Sequence, residues 1–301
     1  MKGCDCCGEP AVARVQEPDR HFCANHFTGF FEDRVAHTIR DDNMIKPGDR
    51  IALALSGGKD STALVLVLSH LLPVWENVRL VAITIDEGIA GYRDETILAA
   101  NELTAILGIE HYTVSFEDLF GNNLDTLLVG REQEACTVCG ILRKKALTVT
   151  AERYGATKIA TGHNLDDEAQ SVLMNTLRGD IPRLVRDAAQ ENPCFIPRIK
   201  PLSLTLEKEI AIYLMVNNAW NVLPECPYTR FALRAEVRGM LTKLEYRYPG
   251  TMLQLIETKK KIGRYCAGAQ VSEPIRRCRE CGDPCSADLC QVCRLRHSLG
   301  R

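Results

Sequence analysis

The 301-residue chain has none of the features that mark membrane or secreted proteins. No apolar run approaches the roughly 18 residues that cross a bilayer, and the first residues, MKGCDCCGEP, have no apolar core of a signal peptide. We therefore expect a cytoplasmic protein that does not contact a membrane. The net charge of −2 excludes a polycation, so a nucleic acid would have to bind to local basic patches.

The most distinctive glycine loop fits neither of the two commoner phosphate-binding motifs, the Walker loop and GxGxxG. It reads SGGKDS over residues 56–61, after a strand-like apolar run at 51–55 and before Leu, Val and Ala at helical spacing over 62–72. A helix start offers unpaired N–H groups to an anion, and glycine lets the backbone approach a phosphate. The loop resembles the PP-loop of ATP pyrophosphatases, which leave AMP on an oxygen of the substrate. The alternative is a glycine turn before a core helix.

Strands and helices alternate through the middle of the chain. Apolar runs predict strands at 51–55, 80–85, 111–116 and 158–161, and helices are expected in sequence between them. This alternation predicts an α/β fold with a parallel sheet covered by helices on both faces, and a ligand beyond the carboxyl ends of the strands. We expect three domains: a zinc finger at 1–30, the PP-loop domain at 31–230, and a basic helical segment with a second zinc finger at 231–301.

The chain holds fourteen cysteines. In a cytosolic protein, paired cysteines at short spacing indicate metal sites rather than disulfides. Zinc takes four nitrogen or sulfur ligands, and two such sets are present. The first set is Cys4, Cys7, Cys23 and His26, and the second is Cys278, Cys281, Cys290 and Cys293.

A further cysteine pair, Cys136 and Cys139, lies inside the central domain, where the next solitary candidate is Cys226. Three thiolates suit a [4Fe–4S] cluster that keeps one iron open. They would equally suit a redox-active disulfide or a persulfide carrier. Buried core cysteines are the third alternative, and the spacing does not choose among them.

Two charged segments have both a structural and a functional interpretation. In TGHNLDDEA, residues 161–169, the acidic residues either cap a helix or bind Mg²⁺ beside ATP. Basic residues recur over 234–264, with Tyr246 and Tyr248 among them. They form either a solvated helix face or an RNA-binding surface.

Taken in order, CxxC…CxxH, SGGKDS, CTVCG, TGHNLDDEA, ECPY and CxxC…CxxC span the whole chain. The sequence resembles the TtuA/NcsA group of tRNA 2-thiouridine synthetases, with the TtcA tRNA-cytidine thiolases as more distant relatives. The resemblance implies that ATP adenylates O2 of a tRNA uridine and that a sulfur nucleophile then displaces AMP. Segments 88–95 and 177–184 look most like those of wobble-position (U34) thiolases.

Other functions remain as alternatives. They are thiolation of a T-loop uridine or of cytidine, an iron-free persulfide relay, a non-thiolating PP-loop tRNA ligase, and an RNA-binding adaptor that uses ATP as a switch. The resemblance also implies a homodimer. The sulfur donor is either free sulfide or a thiocarboxylated ubiquitin-like protein.

The resemblance assigns roles to individual residues. The cluster is expected on Cys136, Cys139 and Cys226, and a catalytic charge on Arg143, with Lys144 beside it. Relatives are expected to have Lys at position 143, so an Arg there favours charge stabilisation over proton transfer. Asp167 is expected to be catalytic, with Asp166 as its competitor. ATP would contact Ala54, Leu55, Ser56, Gly57, Gly58, Lys59, Asp60, Ser61, Ile83, Asp86, Gly162 and Asp167.

Overall fold

The computed structural model describes residues 2–16, 19–185, 194–228, 234–266 and 275–299. Its first part is an antiparallel hairpin and a long helix: β1 (Ala13–Gln16), β2 (Asp19–Phe22) and α1 (Ala24–Asp41). One stripe of α1, with Phe27, Phe31 and Val35, is buried in the main hydrophobic core. The hairpin is therefore joined to the central domain through α1. This helix runs across residue 30, the expected boundary between the first two domains.

Within the described residues, the centre is a five-stranded parallel sheet with the spatial order β5-β4-β3-β6-β7. In chain order its strands and connecting helices are β3 (Arg50–Ala54), α2 (Lys59–Leu71), β4 (Arg79–Asp86), α3 (Arg93–Leu107), β5 (Glu110–Ser115), α4 (Phe116–Phe120), α5 (Leu124–Leu127), α6 (Ala135–Arg153), β6 (Lys158–Ala160), α7 (Leu165–Leu177), α8 (Ile181–Val185) and β7 (Arg198–Ile199). The predicted α/β fold and its parallel sheet are confirmed.

Strand β3 lies in the middle of the sheet, and both of its faces are buried. Ile51 and Leu53 pack in the core on the side of α1 and α2, whereas Ala52 packs in the core on the side of α6. A strand covered on both faces can be apolar at every position. This explains why the first strand reads as a continuous apolar run in the sequence.

Strand β7, which lies between Pro197 and Pro201, is not among the strands that the sequence predicts. The strand is only two residues long and lies at the edge of the sheet. It pairs with β6 by accepting hydrogen bonds: Ile159 N–H donates to Pro197 O, and Thr161 N–H donates to Ile199 O. Proline has no N–H but keeps its carbonyl, so an edge strand tolerates it.

The remaining elements are helical, with one further hairpin: α9 (Glu207–Val216), α10 (Arg234–Arg247), α11 (Thr251–Cys266), β8 (Arg276–Arg277), β9 (Pro284–Cys285) and α12 (Gln291–Ser298). Helices α10 and α11 pack on α7 through a core that includes Ala169, Leu241 and Ile256. Helix α12 packs on α6 through Leu295. In the described residues, no helix is both long and apolar enough to span a bilayer.

Candidate functional site

The loop between β3 and α2 is closed by its own hydroxyl groups. Ser61 Oγ accepts the N–H of Ser56 at 3.1 Å and donates to Gly58 O at 2.8 Å. Gly57 has a φ of +85°, and a Cβ on it would lie 2.3 Å from Thr96 O, so that only glycine fits there. Helix α2 begins directly after the loop, at Lys59, and the N-terminus of a helix favours an anion.

A cleft of about 470 Å³ opens at the carboxyl edge of the sheet, where this loop meets the ends of β4 and β6 and one side of α6. It is lined by Ala54, Leu55, Ser56, Asp60, Ser61, Ile83, Ile85, Glu87, Gly140, Arg143, Lys144, Leu147, Thr161, Gly162, His163, Asp167, Arg198 and Arg234. The volume falls within the usual range for small-molecule sites. The loop, the acidic helix start and the basic pair on α6 therefore share one cleft.

Several predicted site residues are not among those that line the cleft: Gly57, Gly58, Lys59, Asp86, Asp166 and the three cysteines Cys136, Cys139 and Cys226. Lys59 Nζ lies 3.0 Å from Asp60 Oδ2 and 2.7 Å from Glu207 Oε1. Asp86 accepts the N–H of Gly88 at 2.8 Å, and Asp166 accepts the N–H of Glu207 at 2.7 Å. Asp86 and Asp166 thus hold the backbone beside the cleft.

The cleft also contains residues that the sequence analysis did not assign, of which Glu87, Arg198 and Arg234 carry charges. Ile83 and Ile85 on β4 and Glu87 just after it are spaced two residues apart, and all three line the cleft. Because every second residue of a strand faces the same side, this spacing could have identified Glu87 as a cleft residue. Arg198 lies on the missed strand β7 and donates to Lys144 O at 3.1 Å. Nothing in the local sequence distinguishes Arg234 from its basic neighbours.

The acidic side of the cleft is built around Asn164, which caps α7. Asn164 Oδ1 accepts the N–H of Asp167 at 2.9 Å, and its Nδ2 donates to Asp60 Oδ1 at 3.0 Å. Burial raises the pKa of Asp60, and Lys59 opposes this shift. Arg234 Nη1 lies 3.6 Å from Asp167 Oδ1. The side chain of Asn164 therefore joins the Asp60 carboxylate at the edge of the loop to the backbone of Asp167 at the start of α7.

The three central cysteines converge on the side of the cleft formed by α6. Cys136 and Cys139 lie on α6, and Cys226 packs against the core that contains Cys139. Burial raises the pKa of Cys139 to about 11, with Glu87 and Cys226 adding to the shift and Arg143 opposing it. Burial also raises the pKa of Cys226, and Cys136 adds to it. Tyr228 O, two residues after Cys226, lies 3.8 Å from Cys136 Sγ, so the three cysteines lie in one region beside α6.

The two terminal cysteine sets are compact. Among the described residues, only Cys4–Cys7–Cys23–His26 and Cys278–Cys281–Cys290–Cys293 form groups whose ligand atoms all lie within 4.8 Å. The Sγ atoms of Cys7 and Cys23 are 3.8 Å apart, and those of Cys281 and Cys290 are 3.6 Å apart. A tetrahedron with zinc–sulfur distances of about 2.3 Å has edges of about 3.8 Å. Both sets thus have the dimensions of a zinc site.

A parallel sheet whose middle strand leads through SGGKDS into a helix, with a cleft beyond it, defines a PP-loop nucleotide-binding protein. Residues 28–243 match the PP-loop domain family. The chain is 37% identical to the tRNA 2-thiolation protein NcsA of Haloferax volcanii over 98% of both chains. It is 36% identical to the cytoplasmic tRNA 2-thiolation protein 1 of Mus musculus, over 97% of this chain and 71% of that one.

A solved structure agrees with these sequence relationships. The U34-tRNA thiolase NcsA from Methanococcus maripaludis, determined with its [4Fe-4S] cluster, superposes with a TM-score of 0.85 and 30% identity. The superposition covers all of this chain and 97% of that one. The chain belongs to the family of PP-loop tRNA 2-thiolation proteins, as its motifs led us to expect.

Proposed function

We propose that this protein is an ATP-dependent tRNA-uridine 2-sulfurtransferase that acts on the wobble uridine, U34. The observation that carries the proposal is the shared cleft, in which the SGGKDS loop and Asp167 face Arg143 beside Cys139. A nucleotide site and a sulfur site must be adjacent if an activated base is to be thiolated before water reaches it. The family membership and the solved thiolase support the same reaction.

In the first step, O2 of the uridine attacks the α-phosphorus of ATP, and pyrophosphate leaves. The loop over residues 56–61 would hold the phosphates with backbone N–H groups, while Ile83 and its strand contact the nucleoside. In the second step, sulfur attacks C2, and AMP leaves with the original oxygen. Arg143 supplies positive charge near the group that departs as an anion.

Asp167 is the better candidate of the two acidic residues for the catalytic role, because it lines the cleft and Asp166 does not. The backbone N–H of Asp167 donates to the side chain of Asn164, and its carboxylate lies 3.6 Å from the guanidinium of Arg234. Asp166 is engaged with the backbone of Glu207. We therefore assign nucleotide and Mg²⁺ positioning to Asp167 and support of α9 to Asp166.

The donor sets fit the metal groups expected for the family. Cys136, Cys139 and Cys226 converge without forming a compact single-ion site, which suits a [4Fe–4S] cluster because a cluster takes one thiolate per iron. When bound, the cluster would supply an iron with an open position for sulfur. Two Zn²⁺ ions would occupy the terminal sets and stabilise segments that have little core of their own.

The tRNA would bind along α10, α11 and the C-terminal zinc module. The exposed side chains there include Tyr246, Tyr248 and Tyr265, together with the exposed basic residues Arg238, Lys243, Arg247, Lys260, Lys261 and Arg264. Basic residues contact phosphates, and aromatic rings stack on unpaired bases. We further propose a homodimer in the cytoplasm, with either free sulfide or a thiocarboxylated ubiquitin-like protein as the sulfur donor.

Mass spectrometry of tRNA nucleosides from cells that lack this protein tests the proposal. We expect 2-thiouridine derivatives to disappear, and sequencing of the affected tRNAs to place them at U34. The purified protein should release AMP and pyrophosphate only when tRNA is present. ATP binding without AMP release, and with 2-thiouridine intact in the deleted strain, would instead identify an RNA-binding adaptor.

The same protein, purified without oxygen, separates the cluster from an iron-free persulfide relay. We expect iron to co-purify and broad visible absorbance near 400 nm, about where thiolate-bound iron absorbs. Replacement of Cys136, Cys139 or Cys226 by Ala should abolish thiolation and remove the iron, while zinc stays bound. A colourless protein that thiolates at full rate would exclude the cluster.

A further inference from the structure

Glu87 is a buried carboxylate between two arginines at the end of β4. The residue is 1% exposed, and an arginine lies within ion-pair distance of each carboxylate oxygen, although Oε2 and Arg93 Nε do not have hydrogen-bond geometry. Arg93 Nε lies 2.8 Å from Oε2, and Arg143 Nε lies 2.6 Å from Oε1. A buried carboxylate of this kind is costly unless it is paired, so both arginines are part of its environment.

Arg93 fixes one side of this carboxylate to the nucleotide loop. It is 3% exposed, and its Nη1 donates to Ser56 O at 3.0 Å while its Nη2 donates to Ile85 O. The guanidinium is planar, so these contacts define its orientation. Arg93 therefore connects the Glu87 carboxylate, through an ion pair, to the first residue of the SGGKDS loop.

Arg143 occupies the other side and faces the cleft. Its side chain is 45% exposed, and its Nη2 donates to Cys139 Sγ at 3.3 Å. One guanidinium thus contacts Glu87 through Nε and the thiol through Nη2. An arginine can maintain both contacts in a fixed plane, whereas a lysine has a single ammonium on a flexible stem.

We infer that Glu87 is a positioning residue, which holds the Arg143 guanidinium between the nucleotide cleft and Cys139. Two arginines and one carboxylate leave a net positive charge beside the cleft, at the side where Arg143 is exposed. Without Glu87, the long Arg143 side chain would sample several rotamers and leave the thiol. The inference rests on the proposed function, because it assigns Glu87 a part in sulfur transfer.

The test is a double-mutant cycle with Glu87→Gln and Arg143→Lys, read by single-turnover thiolation of tRNA with the purified holoenzyme. We expect Glu87→Gln to lower the thiolation rate on the order of ten- to a hundredfold, since small misplacements of a catalytic group cost about this much. The KM for ATP should change less than about twofold. In the Arg143→Lys background, Glu87→Gln should cost little more, because a lysine has already lost the simultaneous contact with Glu87 and Cys139 that Glu87 holds in place.

Glu110→Gln is the matched control, because Glu110 also pairs with an arginine, Arg50, at 2.9 Å but on the surface. It should leave the rate unchanged. Effects of Glu87→Gln and Arg143→Lys that add fully, or a Glu87→Gln effect confined to the KM for ATP, would show that Glu87 only supports the fold and would overturn the inference.

A crystal structure of Glu87→Gln supplies a readout that does not depend on activity. We expect the Arg143 guanidinium to move away from Cys139 while Arg93 keeps its contact with Ser56 O. An unmoved Arg143 would overturn the inference even if the protein is a thiolase. Absence of thiolation by the unaltered protein would instead refute the proposed function, and the structural result would remain interpretable.

Discussion

Gly162 packs directly against the backbone of Asp60, so that a Cβ on Gly162 would lie 2.8 Å from Asp60 O and 3.0 Å from Ser61 N. The turn after β6 therefore rests on the start of α2 with no room for a side chain. Because a backbone cannot move aside as a flexible side chain can, the two strand-end loops depend on this glycine for their spacing.

We predict that Gly162→Ala destabilises the protein by about 1–3 kcal/mol, the usual cost of an overpacked contact, and raises the KM for ATP. Denaturant unfolding and AMP-release kinetics measure the two effects. Gly29→Ala is the control, because Gly29 lies in α1 with no atom within 4 Å of its added Cβ. Ala there should be neutral or stabilise by up to about 1 kcal/mol. Equal behaviour of the two variants would contradict the prediction.

Asp166 should make stability depend on pH. Burial raises its pKa to about 6, above the value near 4 of an unfolded chain. Between these values the folded protein binds a proton that the unfolded chain releases, so stability falls as the pH rises. Asp166→Asn keeps the acceptor for Glu207 N–H and should stabilise by about 1–3 kcal/mol at pH 7.5, with a smaller difference at pH 5.

Thermal unfolding of both proteins at the two pH values measures this effect. The Asp166→Asn variant should also retain thiolation activity, whereas Asp167→Asn should lose more than about tenfold, in keeping with the loss of a positioned catalytic carboxylate. The reverse pattern of activities would assign the catalytic role to Asp166.

A hydrogen bond from the Tyr228 hydroxyl holds the segment that carries Cys226 in place. Its hydroxyl donates to Asp125 Oδ1 at 2.8 Å, and Asp125 Oδ2 accepts the N–H of Ala90 at 3.0 Å. Tyr228 O lies 3.8 Å from Cys136 Sγ. We predict that Tyr228→Phe accelerates iron loss to a chelator about five- to tenfold, which corresponds to one hydrogen bond of about 1–1.5 kcal/mol.

Tyr112→Phe is the matched variant for this measurement, because the Tyr112 hydroxyl donates to Glu110, away from the cysteines. It should lose iron at the rate of the unaltered protein, and zinc content should be the same in all three. An unchanged rate in Tyr228→Phe would mean that the hydrogen bond to Asp125 does not hold Cys226 in place.

The C-terminal segment with the second cysteine set supports the helix that carries the central cysteine pair. Leu295 of α12 is buried in the same core as Cys139, and Lys145 Nζ on α6 lies 2.5 Å from Asp283 Oδ2. We predict that Cys281→Ser removes one zinc ion and also speeds iron loss, because α6 loses this support. Elemental analysis and the chelator assay measure both effects.

Cys7→Ser should remove the other zinc ion without speeding iron loss, because α1 packs on the opposite face of the sheet. Cys285→Ser should keep both zinc ions, since Cys285 lies outside the compact sets. Equal iron loss from the Cys281→Ser and Cys7→Ser variants would show that the module does not act on α6.

Local sequence patterns were sufficient to predict those parts of the protein that are stabilised by residues close together in the chain. The SGGKDS loop, the apolar strand at 51–55 and the two terminal sets of potential metal ligands each depend on residues near one another in the chain, and the structure has the loop, the strand and both compact sets where they were expected. The edge strand at Arg198–Ile199 was not predictable, because it is defined by carbonyls that accept hydrogen bonds from β6.

Residue types and their spacing thus determined the fold class, the nucleotide loop, the metal-ligand sets and the family to which the chain belongs. Only the tertiary structure decided which polar groups share the cleft: it brought Glu87, Arg143 and Arg234 to it and turned Asp86 and Asp166 toward the backbone. The physical reason is that an ion pair such as Glu87–Arg143 joins positions far apart in sequence, and burial sets its strength only after the sheet and α6 have packed.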